Sequence, residues 1–173
     1  VDTASKINEF SDLITTLRND VQNEMSDTVS QINNLLEQIA SVNKQIQSDQ
    51  ALGKTIAQAQ DIRDSAVKDL SELIDISFFV RGDSVLVVQT NQGAELATTK
   101  AQTLTFPQRP LAATTFYPES TGGIFIRDPE SDPAAIDITT LEPGGKLGGL
   151  ITLRDETFPK QQAQLDELAH KMA

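Results

Sequence analysis

Cysteine and tryptophan are absent from the 173-residue sequence, and tyrosine and histidine each occur once. Without cysteine there are no disulfides, no thiolate nucleophiles and no thiolate metal sites. Such a chain suits a protein that stays unlinked until it reaches an oxidising exterior. Aromatic residues make up 5%, too few for a platform on which bases stack. Positive charge is also scarce. The 14 Lys and Arg face 25 Asp and Glu, and the net charge of -11 repels a phosphate backbone or an anionic lipid surface. Neither nucleic acid nor membrane is an expected partner. No apolar run approaches the roughly 18 residues of a membrane span, and no basic segment followed by an apolar one opens the chain. Val1 stands where an initiator Met would, and the apolar pattern of Leu165, Leu168 and Met172 runs into Ala173 without a stop signal. We therefore read both ends as cut.

Proline and glycine are missing throughout the opening stretch, where Ile7, Phe10, Ile14, Leu17, Val21, Met25, Val29, Ile32, Leu36, Ile39, Val42 and Ile46 recur at gaps of three and four. That spacing predicts an amphipathic helix with one apolar seam, a rod of roughly 60 Å. Two successive gaps of four between Val21 and Val29 form a stutter that unwinds any supercoil locally. The other faces carry Asn, Gln, Ser and Asp more than Lys and Glu, so few i,i+4 ion pairs support the helix and packing must hold it. Gly53 marks its end. Thr55 followed by Gln58 predicts a capping box and a second, antiparallel helix with a stripe of Ile56, Ala59, Ile62, Ala66, Leu70 and Leu73.

After Asp75 the period becomes strand-like. Ile76–Val80, a turn at Gly82-Asp83 and Val85–Val88 predict a hairpin, with the next turn at Asn91-Gln92-Gly93. Leu104–Phe106, Ile124–Ile126 and Ile136–Ile138 are short strand candidates among Pro107, Pro110, Pro118, Pro129, Pro133 and Pro143. A Gly-rich turn from Gly144 to Gly149 then returns the chain to helix, with Leu150, Leu153, Phe158, Leu165, Leu168 and Met172 as its apolar face and a kink or fresh start near Thr157 before Pro159. The expected fold is α+β, a long antiparallel helical hairpin or bundle with an inserted small loop-rich β domain. Its segments are 1–75 (two helices), 76–143 (β) and 144–173 (turn and returning helix).

Several patterns mimic chemistry. Gly53-Lys54-Thr55 resembles the end of a phosphate-binding loop, but Ser48 stands where the first Gly is required. Asp128, Glu130 and Asp132 alternate like a calcium loop, yet Pro129 and Pro133 interrupt them. His170 lies on a polar stretch with no nucleophile motif beside it, and the carboxylates are spread along faces. We expect no catalytic, cofactor or metal site. Two tetrads stand apart, Asp61-Ile62-Arg63-Asp64 and Thr152-Leu153-Arg154-Asp155. Each sets an Arg fork beside a carboxylate, suited to bidentate pairing at a helix junction.

The segment Ala59–Ile76 with Arg63-Asp64, and above all Gly145-Lys146-Leu147-Gly148-Gly149-Leu150-Ile151-Thr152-Leu153-Arg154-Asp155-Glu156 followed by Phe158-Pro159 and Gln164–Ala169, resembles the flagellar hook-associated protein 1 family, the FlgK-type hook-filament junction proteins. Gln31-Ile32-Asn33 and Asn43–Ile46 fit the long helix of that family. The resemblance marks Arg63, Asp64, Leu147, Gly148, Gly149, Arg154 and Asp155 as family-motif residues of structural role. It implies a non-enzymatic subunit of the extracellular flagellar axis, exported through the flagellar type III apparatus and placed between hook and filament. Implied partners are hook subunits, the second junction protein and like subunits, with an export chaperone acting through termini missing here; the fragment alone would be a monomer. Pro107–Pro143 carries no family motif. A competing reading, a coiled-coil adhesin or secretion-system tip module, shares the long hairpin but leaves Gly145–Glu156 unexplained.

Overall fold

In a computed structural model, residues 2–115, 117–127, 129–130 and 132–172 are described, with side chains from Ala4 onward. Helix α1 (Asp2–Ala51) runs unbroken for 50 residues, about 75 Å at the standard rise. Gly53 follows in the left-handed region, at φ 67°, where the Lys54 N–H closes on the Asp49 carbonyl at 2.8 Å. Helix α2 (Ala57–Leu73) folds back along α1. The expected capping box is not formed. Ile56 holds the cap position without a side-chain bond, because Ile56 packs on Val42, Ile46 and Ala59. The α2 stripe keeps the expected Ala59, Ala66 and Leu70 inside and departs at one position. Ile62 is exposed, and Arg63 is buried with Ala59, Ala66, Val67 and Leu70.

The chain then builds two small antiparallel sheets. The first joins β1 (Ile76–Val80), β2 (Leu86–Thr90) and β3 (Glu95–Ala97) in that order, with Phe78 opposite Val88 and a register shift in β2 at Val88/Gln89. Strand β3 was not anticipated; it follows the Gly93 turn, also at positive φ. The second sheet joins β4 (Leu104–Thr105), β5 (Phe125–Ile126) and β6 (Ile136–Asp137). Leu104 pairs with Ile126 and Ile126 with Ile136 on its inner face, while Thr105, Phe125 and Asp137 line up on the outer face. A short 3-10 turn (Thr139–Leu141) precedes helix α3 (Gly145–Thr152), a π turn (Leu153–Thr157) and helix α4 (Phe158–Met172).

The glycine run is therefore helix rather than the turn before it. Gly144 and Gly145 sit at φ 61° and 57°, and a Cβ on them would come within 2.0 Å of the Asp75 carboxylate and 2.8 Å of the α2 backbone. Only glycine lets α3 start this close to the end of α2, where the Asp75 N–H bonds the Pro143 carbonyl at 2.8 Å. At Gly148 and Gly149 a Cβ would meet nothing closer than 3.8 Å. The π turn stands just ahead of Pro159, which has no N–H to give to an α-helical bond. The returning helix buries its expected face only in part: Leu150 packs against the core, and Phe158 and Leu165 are half-buried. Leu153, Leu168 and Met172 are exposed, and Leu147, Arg154 and Gln162 are the buried side chains of this stretch.

One apolar core crosses all three segments. Met25, Val29, Ile32, Leu36 and Ile39 of α1 meet Ala66, Val67, Leu70 and Ile74, the strand residues Leu86, Val88, Leu96, Leu104 and Ile126 with Ile124 just before β5, and Leu147 of α3. The architecture is α+β, a long helix backed by shorter helices on which two small sheets are laid. No helix among the described residues is long and apolar enough to cross a membrane.

Candidate functional site: the polar spine of the long helix

The seam of α1 follows the predicted apolar positions from Met25 to Ile46 and departs from them before Met25. There the buried line is Ile14, Arg18 and Gln22, while Phe10, Leu13 and Leu17 are 55%, 49% and 38% exposed. The displaced positions are filled by side chains that meet backbone. Arg18 is 1% exposed and donates from Nε to the Arg154 carbonyl, from Nη1 to the Ala112 carbonyl and from Nη2 to the Thr115 carbonyl at 2.6 Å. Gln22 donates to the Arg109 carbonyl at 2.6 Å. A loop whose carbonyls point at a helix needs donors there, and a leucine at position 18 would leave them dry and unpaired.

Three asparagines repeat this device along α1. Asn19 donates to the Leu111 carbonyl and accepts the Leu111 N–H, Asn33 does the same with Leu104 of β4, and Asn43 with Leu86 of β2. Each carboxamide mimics the edge of a neighbouring strand, since it offers one donor and one acceptor as a peptide group does. Asn43 is buried and donates also to the Thr98 carbonyl at 2.7 Å. The sequence showed the richness of α1 in Asn and Gln but not its use. The usable signal was amides where a solvated helix carries Lys and Glu.

The two Arg-Asp tetrads behave differently. Arg154 is fully buried and binds Asp155 bidentately, Nε to Oδ1 at 2.8 Å and Nη2 to Oδ2 at 2.7 Å. Its Nη1 donates to the Gly122 carbonyl at 2.9 Å, and the guanidinium lies over the Phe106 and Tyr117 rings, 5.7 and 5.8 Å from their centres. Arg154 thus ties the π turn to both flanks of the 106–123 loop while its carbonyl takes Arg18. Burial pulls Arg18 below its ordinary pKa, the Asp155 charge opposes this, and Arg154 adds to it. Arg63 turns away from Asp64, which is 73% exposed at 3.8 Å. Its Nη1 instead reaches the Ser84 carbonyl at 3.1 Å and Asn43 Oδ1 at 3.4 Å. The paired carboxylate expected beside Arg63 is replaced by the hairpin backbone, because Arg63 is on the buried side of α2 and Asp64 is not.

The remaining candidates meet local partners or solvent. Lys54 pairs with Asp49. The Ala134 N–H bond first, and the Arg127 pair after it, hold the Asp132 carboxyl below the usual range; Asp128 lies outside the described residues. His170 is exposed on α4. Among the described residues no group of His, Cys, Asp and Glu is arranged to hold a metal.

Outward from this spine, Phe10, Leu13, Ile14 and Leu17 of α1 and Leu165 and Leu168 of α4 line an apolar groove. Residues 1–173, the whole chain, match the helical domain of the flagellar hook-associated protein FlgK. This chain belongs to the FlgK family. A solved structure, the flagellar hook junction protein FlgK from Burkholderia pseudomallei, superposes with a TM-score of 0.75 at 28% identity, covering 94% of this chain. The chain spans 28% of the length of that FlgK. No curated protein sequence matches at a significant level.

Proposed function

We propose that the chain is the helical part of a structural adaptor in the extracellular flagellar axis, set at the hook-filament junction. Its partners there are hook subunits, the second junction protein and lateral copies of itself. Membership of the FlgK family supports the flagellar role. The observation that carries the adaptor reading is the displaced seam of α1. A globular domain serving only itself would turn Phe10, Leu13 and Leu17 inward; here they face out beside Leu168, and the fold is held at that level by Arg18 and Gln22. An apolar stripe along a rod is a surface on which helices of an assembly pack. The role is mechanical, without catalysis, and the isolated fragment is a monomer.

A strain lacking the full-length gene tests this. It should build hooks without filaments and regain filaments when the intact gene returns. Normal filaments in the deletion strain would refute the junction role.

A further inference from the structure

Among the described residues the domain closes its sheet edges or keeps them short, with one exception. The outer edge of β3 is capped by the turn that follows it, where the Gln102 N–H bonds the Leu96 carbonyl and Ala97 bridges Ala101. That of β4 takes the Asn33 carboxamide on Leu104, and β6 is only 2 residues long. Strand β1, 5 residues at the margin of the first sheet, pairs with β2 alone. It carries none of the devices that blunt an edge, neither Pro nor Lys nor a bulge. Instead Phe78, Phe79 and Val80 are 54%, 51% and 56% exposed.

The register shows which main-chain groups are left over. The Arg81 N–H bonds the Val85 carbonyl, so by the alternation of an antiparallel pair Phe79 and Ser77 also turn their main chain toward β2, and Phe78 and Val80 turn theirs to the free side. Leu86, opposite Val80, agrees with this parity, since its N–H and carbonyl go to Asn43 rather than to β1. The N–H and carbonyl of Phe78 and of Val80 therefore face outward, and no described strand takes them. Their side chains share one face of the strand, and Phe79 stands on the other.

A row of donors and acceptors at strand spacing is complementary to one class of molecule, an extended polypeptide. Area and charge narrow the choice. The two half-exposed rings offer on the order of 200 Å², far below the ~1,200 Å² of a stable dimer, so this edge leaves the isolated chain a monomer. A second copy is also disfavoured electrostatically, because each brings a net charge of -11. Next to β1, Glu72 and Asp75 are exposed, and Arg81 is already paired with Asp83. The occupant that fits is a segment of a different protein, apolar at alternate positions to cover Phe78 and Val80 and basic at the end that meets Glu72 and Asp75. In the antiparallel sense, used by every strand pair of the domain, that is its C-terminal end. We infer that β1 is a strand-addition site, on which such a segment extends the three-stranded sheet. The site is separate from the apolar stripe of α1 and does not depend on its role.

The probe is a short acetylated, amidated peptide alternating Val and Thr and ending in Lys, titrated into the 173-residue chain and followed by NMR-detected amide exchange. In the free chain the Ser77 and Phe79 amides should exchange slowly and those of Phe78 and Val80 fast, and the peptide should slow the fast pair about tenfold or more. Val80→Pro removes one outward N–H at an edge position that tolerates proline, and should weaken binding about tenfold. Phe78→Lys, at a half-exposed side chain, should keep the fold and weaken binding at least as much. The same peptide N-methylated where it faces Phe78 and Val80 should not bind, and one ending in Glu should bind several-fold more weakly. No protection at millimolar peptide, equal binding of the N-methylated or the Glu-ended peptide, or binding unmoved by both substitutions overturns the inference. So does protection of Phe78 and Val80 that grows with chain concentration, which makes a second copy the occupant. Protection already complete in the monomeric full-length protein overturns it too, since the chain then covers its own edge. None of these outcomes alters the junction proposal, which rests on α1.

Discussion

The upper half of α1, from Met25 on, and the lower half before it solve one packing problem in opposite ways. From Met25 to Ile46 the apolar seam faces the core, and amides at Asn33 and Asn43 fasten the sheets at its border. Below Met25 the helix turns its amide and guanidinium side inward, toward the carbonyls of residues 109–115, and its apolar side outward. The stutter between Val21 and Val29 lies at this changeover, where Gln22 and Thr28 are both buried. The upper part stabilises the domain by burial. The lower part stabilises it by hydrogen bonds and leaves Phe10, Leu13 and Leu17 exposed.

Breaking the lower node should have the largest effect. Arg154→Ala leaves Asp155 unpaired and frees the Gly122 carbonyl, and a broken buried pair costs about 3–5 kcal/mol; chemical denaturation should register that loss, whereas Lys160→Ala, at an exposed pair, should change stability by less than ~1 kcal/mol. Leu36→Ala in the upper seam should cost about 2–5 kcal/mol, while Leu13→Ala, a similar deletion on the exposed stripe, should stay within ~0.5 kcal/mol. Asn43→Ala should cost about 1–3 kcal/mol, since the Leu86 N–H and carbonyl are left without their partner in the interior; hydrogen exchange at Leu86 should quicken with it.

The smallest effect sharpens the comparison by pH. The Tyr117 hydroxyl is raised from 10.0 to about 12, so between those values the folded chain holds a proton the unfolded chain has lost. Its contribution is complete below pH 10 and fades as pH rises toward 12. Tyr117→Phe should therefore flatten the alkaline stability slope relative to the parent without changing the acid limb.

Much of the fold was legible because the deciding signals are local. A stretch without Pro or Gly, with apolar residues at gaps of three and four, is a helix whatever surrounds it, and the triplets at Leu104, Ile124 and Ile136 are strands between prolines. What stayed hidden is non-local. Nothing near Arg18 in sequence reveals that carbonyls of Ala112 and Thr115 await it, so the apolar count put Leu17 inside. Ile62 and Arg63 exchange expected places for the same reason, since the Ser84 carbonyl arrives from the hairpin. The Gly145–Asp155 block was legible as a motif. Its mechanics, Gly145 for close approach and an arginine binding three segments, needed the fold.

The direct test is the pair of substitutions Leu13→Ser and Leu17→Ser, made together in the fragment and in the full-length protein. If the lower stripe exists for assembly, the fragment keeps its thermal midpoint within a few degrees, and cells carrying the variant stop at bare hooks. Unfolding of the fragment on the scale of Leu36→Ala, or full-length filaments on swimming cells, would contradict the account.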